Sequence, residues 1–394
     1  MIPLKEIQDE LKLENADAWL ISDYENRNPT LVSFLGEKML TRKIFLLIKK
    51  EGKPDLIAHF IDSAFLRDLE KDGIINLHIY KSWQEMLEIE KTLLKPLQNI
   101  LMDISEYGLL PRVSLCDYGT VEYVISLGKK VLSSGNLLQK FTATYLEESY
   151  ALQLEACRKT LAIKDEAFKQ IKEDILNHGE SDEYRIQQFI VKRFLEEGMT
   201  FDDPPIVATN AYASDPHYAP NKDITHIIKK GDVVLIDMWA KMNKDGAVYS
   251  DITWMGYVGE KVPSKIEERF KVLRAAIEEG FHFLERELPK RKVMGYELDD
   301  VVRNYLIKEG YEKGIVHRTG HNIAIDISPH GPGVNIDNLE SHDTREIIDG
   351  VTFSMEPGIY LNDFGMRSET NVYIKNRKPL YVASHQLEVI PILK

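Results

Sequence analysis

Four acidic residues stand inside stretches that otherwise read as β-strand: Asp237 in VVLIDMW, Asp251 in YSDITW, Glu356 in FSMEPG and Glu369 in MRSETNV. Three histidines, His317, His321 and His330, fall within fourteen residues of HRTGHNIAIDISPH. A single strand carboxylate is commonly a solvated or salt-bridged surface group. Four of them beside a histidine cluster ask for more, because a buried carboxylate needs a cation or a metal as partner. Several converging in one cavity would repel each other and stay protonated unless cations held them. Hard oxygen donors with one imidazole suit Mn2+, and with less preference Co2+, Zn2+ or Fe2+. Asp237 and Asp251 lie fourteen residues apart with the turn-forming KMNKDG between them, so a hairpin would set them on adjacent strands. Glu356 and Glu369 lie thirteen apart across LNDFG and suggest a second hairpin. Two such hairpins facing each other could hold two metals about 3.5–4 Å apart, an arrangement that activates a shared water and clamps a substrate oxygen.

These residues need a scaffold to bring them together. A chain of 394 residues suggests two domains, and 43% hydrophobic with 29% charged residues is enough to build a substantial core. The net charge of −13 argues against nucleic acid, whose partners are basic. Two cysteines, Cys116 and Cys157, cannot build a disulfide framework or a zinc–thiolate site. No run approaches about 18 apolar residues and MIPLKEIQDELKLE lacks a signal-type apolar core, so the expectation is a cytoplasmic chain without a membrane partner.

Residues 1–145 read as an α/β domain: DAWLISDYE, KIFLLIKKEGKPDLIAH, INLHIYKSW and NILMDISEYG are strand candidates, and IDSAFLRDLEKDG is a helix stopped by Gly73. From 146 to 394 the pattern is α+β. A long amphipathic helix begins at EESYALQLEACRK and ends at Gly179, and a second, SDEYRIQQFIVKRFLEEG, opens at a capping Ser181 and ends at Gly198. Beyond residue 200, β-prone runs dominate, interrupted by SKIEERFKVLRAAIEEGFHFLEREL and ELDDVVRNYLIKEGY as helices. An antiparallel or mixed sheet backed by helices is expected.

The segments PHYAPN, VLIDMWA, YSDITW, HRTGH, SMEPGIY and RSETNVY together resemble the M24 metallopeptidase family of creatinase, methionine aminopeptidase, aminopeptidase P and prolidase. The resemblance spans roughly 150–394, with a looser likeness of DAWLISDYENRNP to the creatinase-type N-terminal domain. It implies a C-terminal pita-bread catalytic domain behind an N-terminal α/β creatinase-type domain. It also implies a dinuclear centre in which Asp237 chelates one metal, Asp251 and Glu369 bridge both, and His321 and Glu356 bind the second. A metal-bridged hydroxide would attack the scissile amide, with Glu356 as proton shuttle and His217, His317 and His330 stabilising the oxyanion or protonating the leaving nitrogen. Arg367 matches a substrate-side arginine of the proline-specific branches. The implied activity is removal of an N-terminal residue that precedes proline, by an Xaa-Pro aminopeptidase acting as a homodimer. An Xaa-Pro dipeptidase (prolidase) is the alternative, and a metal-free creatinase-like hydrolase or a non-catalytic binding protein on the same fold are more distant ones.

The chain departs from the family pattern at three places. The counterpart aspartates are commonly separated by eleven residues, against fourteen here. The histidine usually found seven positions after the ligand histidine would be Ser328, so its counterpart is His330, after an insertion at Ser328-Pro329. Small residues of the family's GHGIG become Asn322 and Ala324. Prolidases resemble one another in an extra arginine before the Glu356 counterpart. Here His342 falls in its place with Arg345 nearby, which favours the aminopeptidase.

Overall fold

The computed structural model describes residues 2–325 and 328–394; Asp326 and Ile327, inside the histidine-rich stretch, lie outside them. The chain divides into two units, Met1–Thr142 and Ala143–Lys394.

The first unit is built on strands β1 (Ala18–Asp23), β2 (Ile44–Lys49), β3 (Asp55–His59), β4 (Asn76–Tyr80), β5 (Asn99–Met102) and β6 (Lys130–Ser133), in the order β4-β3-β2-β1-β5-β6. The sheet is mixed: β1 runs antiparallel to β2 and parallel to β5. Every residue of central β1 is buried, as its continuous apolar run requires. Asp103, just past β5, is buried but satisfied: Trp19 Nε1 (2.9 Å) and Ser134 Oγ (2.6 Å) donate to Oδ1, and Asn28 Nδ2 (2.9 Å) donates to Oδ2.

The helix Trp83–Leu94 starts with a capping box between Ser82 and Glu85. On this helix, Glu90 is 2% exposed, its Oε1 has no hydrogen-bond partner, and burial raises its pKa to about 7 against Lys43, which lowers it, and with Asp117, which adds to the rise. The ordinary value is 4.5. Between 4.5 and 7 the folded chain holds a proton that the unfolded chain has released, so stability is greatest below that window and falls as pH rises through it, by about 3 kcal/mol in all. Glu90→Gln is expected to flatten this slope and to stabilise the unit above pH 7, measured by urea unfolding of the full chain at about pH 5 and about pH 8. An unchanged slope would show that the proton is held elsewhere.

The second unit contains β7 (Glu180–Asp182), β8 (Met199–Thr200), β9 (Ile206–Thr209), β10 (Ile227–Lys229), β11 (Val233–Met242), β12 (Ser250–Tyr257), β13 (Thr352–Met355), β14 (Gly358–Tyr360), β15 (Gly365–Arg367), β16 (Thr370–Lys375), β17 (Lys378–Tyr381) and β18 (Ile390–Pro391). The central sheet runs β18-β12-β11-β8, with β9 also on β11; β13, β16 and β17 form a second sheet, and β14 pairs with β15. Two helices, Glu147–His178 and Glu183–Glu196, pack into one core and two others, Ser264–Glu287 and Gly295–Lys308, into another. Gly179, with φ 83°, closes the long helix. The second helix is capped by Asp182, whose side chain accepts from Arg185 N, and not by Ser181; the Ser181 hydroxyl is used instead on Asp174 (2.7 Å). No helix among the described residues is long and apolar enough to cross a membrane.

Strand alternation decides which residues are available for chemistry. On β11, Val234, Ile236 and Met238 enter the core of the first helix pair, while Val233 and Leu235 enter the other. Asp237 and Trp239 continue the Val233 face. On β12, Asp251 and Thr253 share the face of Met255, opposite Ile252.

Candidate active site

β11 and β12 form the first expected hairpin, with Asp237 opposite Thr253 and Trp239 opposite Asp251, which puts the two aspartates diagonally on one face. The second is more unusual. β13 pairs with β16 as far as Met355↔Thr370, and pairing resumes on β14 and β15 at Gly358↔Arg367. The register is continuous across the gap, which holds Glu356-Pro357 on one side and Ser368-Glu369 on the other. Pro357 has no N–H to contribute to a ladder. The glutamate amides turn outward: Glu356 N donates to Thr319 O (2.7 Å) and Glu369 N to Thr253 O (3.3 Å). The ladder therefore opens where the two carboxylates stand, and the Glu369 contact ties the gap to the first hairpin.

His321 arrives on a close approach of two backbones. A Cβ at Gly320 would meet the Ser354 carbonyl oxygen at 1.9 Å, so only glycine fits there. His321 N then donates to Ser354 Oγ (2.9 Å), and Ser354 Oγ donates to Glu356 Oε1 (3.1 Å). The side chains of Asn371 and Thr253 fix the rest. Asn371 clasps the Asp251 backbone, donating to its O (2.6 Å) and accepting from its N (3.0 Å). Thr253 Oγ1 donates to Glu369 Oε2 (2.7 Å).

All nine residues singled out in the sequence line one cavity of about 310 Å³: Asp237, Asp251, His321, Glu356, Glu369, His217, His317, His330 and Arg367. Ligand atoms of Asp251, His321 and Glu369 lie within 4.8 Å of one another, and all three residues are buried. His321 Nε2 stands 3.4 Å from Asp251 Oδ2 and 3.5 Å from Glu356 Oε1. His217 and His330 are exposed, although the His330 ring centroid lies 4.0 Å from that of His321.

The electrostatics of this group are unbalanced. Burial raises the pKa of Asp237, and raises Asp251 and Glu369 well above the carboxylate range, with mutual repulsion among the acids adding to it. Glu356 differs: burial opposes ionisation, but His321, His317 and Arg367 outweigh it and hold the group below its ordinary value. Arg367 is 3% exposed; it pairs with Asp237 Oδ2 and donates to Thr253 Oγ1 (3.1 Å) and Tyr360 OH (2.7 Å). One guanidinium leaves most of the carboxylate charge uncompensated.

The site residues fit a cation centre on two further observations. Asp237 Oδ1 is buried with no hydrogen-bond partner. His321 Nδ1 lies 3.0 Å from the Asn322 carbonyl, which can only accept, so Nδ1 carries the proton and the Nε2 lone pair faces the two carboxylates. Burial lowers the His321 pKa and keeps that lone pair available.

His317 is held in the same tautomer, with Nδ1 donating to Arg318 O (2.7 Å) and Nε2 accepting from Tyr360 OH (2.7 Å), and burial likewise keeps it neutral. The arginine, tyrosine and histidine thus form a chain of directed hydrogen bonds. Tyr360, Thr253 and Asn371 were not singled out in the sequence. Thr253 had a signal, since two residues after Asp251 on a strand is the same face. Tyr360 and Asn371 read only as parts of β-prone runs. Trp239, whose Nε1 donates to Asp202 Oδ1 (2.6 Å), and Arg318, paired with Glu340 (3.3 Å), also line the cavity.

Residues 154–376, more than half of the chain, match the model of metallopeptidase family M24. A Mycoplasma genitalium protein named as an Xaa-Pro aminopeptidase is 28% identical over 207 residues, covering 50% of this chain and 52% of its own length. The match thus spans about half of that relative (52%). An Xaa-Pro dipeptidase of Lactobacillus delbrueckii subsp. lactis is 28% identical over 246 residues, covering 61% of each chain. Among solved structures, dipeptidase PepE from Mycobacterium ulcerans superimposes with a TM-score of 0.64 at 18% identity, covering 98% of this chain and 96% of that one, which establishes the shared fold.

Proposed function

The chain belongs to metallopeptidase family M24, and we propose that it is an Xaa-Pro aminopeptidase, hydrolysing the bond between an N-terminal residue and a following proline. The observation that carries this reading is the convergence of Asp237, Asp251, His321, Glu356 and Glu369 on one cavity, with a buried Asp237 oxygen and the His321 lone pair both lacking a donor. Asp237 would hold one divalent cation, His321 and Glu356 the second, and Asp251 and Glu369 both; Mn2+ suits this hard oxygen set best, with Co2+, Zn2+ or Fe2+ as alternatives. Such a pair, when bound, lowers the pKa of a shared water enough to supply a nucleophile at neutral pH.

The chain's own groups do the rest. Glu356, ionised and at the edge of the cluster, takes the proton of the attacking water and passes it towards the leaving nitrogen. The proline nitrogen, like any leaving amide nitrogen, must gain that proton as the C–N bond breaks, so that it departs as a neutral amine. His217 and His330, at the exposed side, face the carbonyl oxygen as negative charge develops there, while His317, with both ring nitrogens engaged on Arg318 O and Tyr360, holds the Tyr360 hydroxyl in place. Arg367 lines the cavity and serves the substrate by fixing Asp237 and aiming the Tyr360 hydroxyl.

His342 stands where prolidases carry an extra arginine, and the nearby Arg345 is bonded to Asp343 (2.5 Å) and to Pro332 O (2.6 Å), which supports the aminopeptidase. The dipeptidase reading draws on Arg318, a cavity-lining cation that could meet a dipeptide carboxylate. Hydrolysis of Ala-Pro-Ala against Ala-Pro separates them: the aminopeptidase cleaves the tripeptide faster. Chelator treatment should abolish both activities and Mn2+ should restore them. Full activity after verified metal removal would overturn the reading. We extend it to a homodimer, as the family resemblance implies, located in the cytoplasm, as the sequence reading expects, to be tested by sedimentation and fractionation.

A further inference from the structure

The N-terminal unit holds a cavity of its own, about 370 Å³, at the carboxyl end of β1. In sheets with parallel neighbours such as β1 and β5, ligands settle outside the carboxyl ends of the strands. Its lining is mixed in charge, with Asp23 and Asp117 against Arg27 and Lys43, and Tyr24 and Leu115 as walls.

Asp23 is the telling residue. It is 5% exposed, and its Oδ1 accepts from Arg27 N (2.7 Å) and Asn28 N (2.8 Å). Its Oδ2 is buried with no hydrogen-bond partner, and no described cation pairs with it. The contrast with Asp103 is direct: that carboxylate is as deep, yet both of its oxygens are used within the fold. A bare buried carboxylate oxygen calls for a charged N–H donor. Lys43 does not supply it, because its ammonium is turned to Asp117 Oδ2 (2.8 Å) and Thr120 Oγ1, which leaves one of its three N–H groups for another acceptor. Arg27 lies over the Tyr24 ring (5.5 Å) and is paired with the exposed Glu25 (3.3 Å), a surface pair that is readily exchanged.

We infer that this cavity binds a small zwitterion, a free α-amino acid, with its ammonium on Asp23 Oδ2 and its carboxylate on Lys43 and Arg27. The volume suits such a ligand. The inference rests on the first unit alone and is independent of the peptidase reading.

The test is calorimetric titration of the full chain with proline, leucine and arginine, with methylammonium and acetate as single-charge probes. At least one amino acid binds, and Asp23→Asn weakens it about tenfold or more, since the amide keeps the Oδ1 acceptor but loses the charge. Lys43→Met does the same from the other end, and both variants keep the wild-type peptidase rate. Thermal melting confirms that each is folded. The idea is overturned if no amino acid binds at about 10 mM, a concentration that would reveal even weak sites. It is equally overturned if both variants bind as wild type, or if methylammonium alone binds as tightly.

Discussion

Asp251→Asn is expected to lower kcat/KM for both Ala-Pro-Ala and Ala-Pro by at least about a thousandfold, roughly 4 kcal/mol of transition-state stabilisation. The change is close to isosteric, and it leaves the Asn371 clasp intact because that clasp uses only the Asp251 backbone. What it removes is the charge at the position proposed to bridge both cations. Two other readouts should move with activity. Bound metal, measured by elemental analysis, should fall. The melting temperature of metal-depleted protein should rise, because burial and the neighbouring Asp237 and Glu356 disfavour an ionised Asp251. Loss of activity with gain of stability is the signature of a functional charge, since a merely structural residue would lose both. Activity within about tenfold of wild type would refute the bridging role.

Arg367→Met is expected to destabilise the second unit by about 3–5 kcal/mol, the usual consequence of leaving a buried charge without its partner. The guanidinium is buried and joined to Asp237, Tyr360 and Thr253 through three different nitrogens. Lysine should not rescue it, because a single ammonium cannot span that fork. Chemical unfolding of metal-depleted protein gives the stability, and kcat should fall more than KM rises, since Asp237 loses the partner that fixes it and the Tyr360 hydroxyl loses the donor that aims it at His317. Rescue by Arg367→Lys in both respects would show that charge alone matters there.

Much of this was legible in the chain. The β-prone runs around Asp237 and Asp251 pointed to one hairpin, and β11 and β12 pair so that both aspartates share a face. The strand candidates of the first unit stand as five of the six strands of its sheet; the sixth, β6 (Lys130–Ser133), was not among them. What the sequence hid were contacts across long separations. Asn371 acts on Asp251 from 120 residues away, and the Glu369 amide reaches Thr253 from 116. No local pattern marks such residues, because their partners are chosen by sheet order and not by spacing. The ladder gap was half legible: Pro357 announces it on one strand, but nothing announces Ser368-Glu369 opposite until the register is known.

That gap also governs which length changes the protein can absorb. Because pairing resumes in the same register on both sides, substituting within Glu356-Pro357 or Ser368-Glu369 leaves the alternation of β13 to β16 untouched. Inserting or deleting one residue in either dipeptide would instead turn every side chain beyond it to the opposite face. The connection between Met242 and Ser250 carries no such restriction, since a turn can lengthen without moving the ladder. The site should therefore drift freely in loop length around a hairpin pair whose four middle positions are fixed in number.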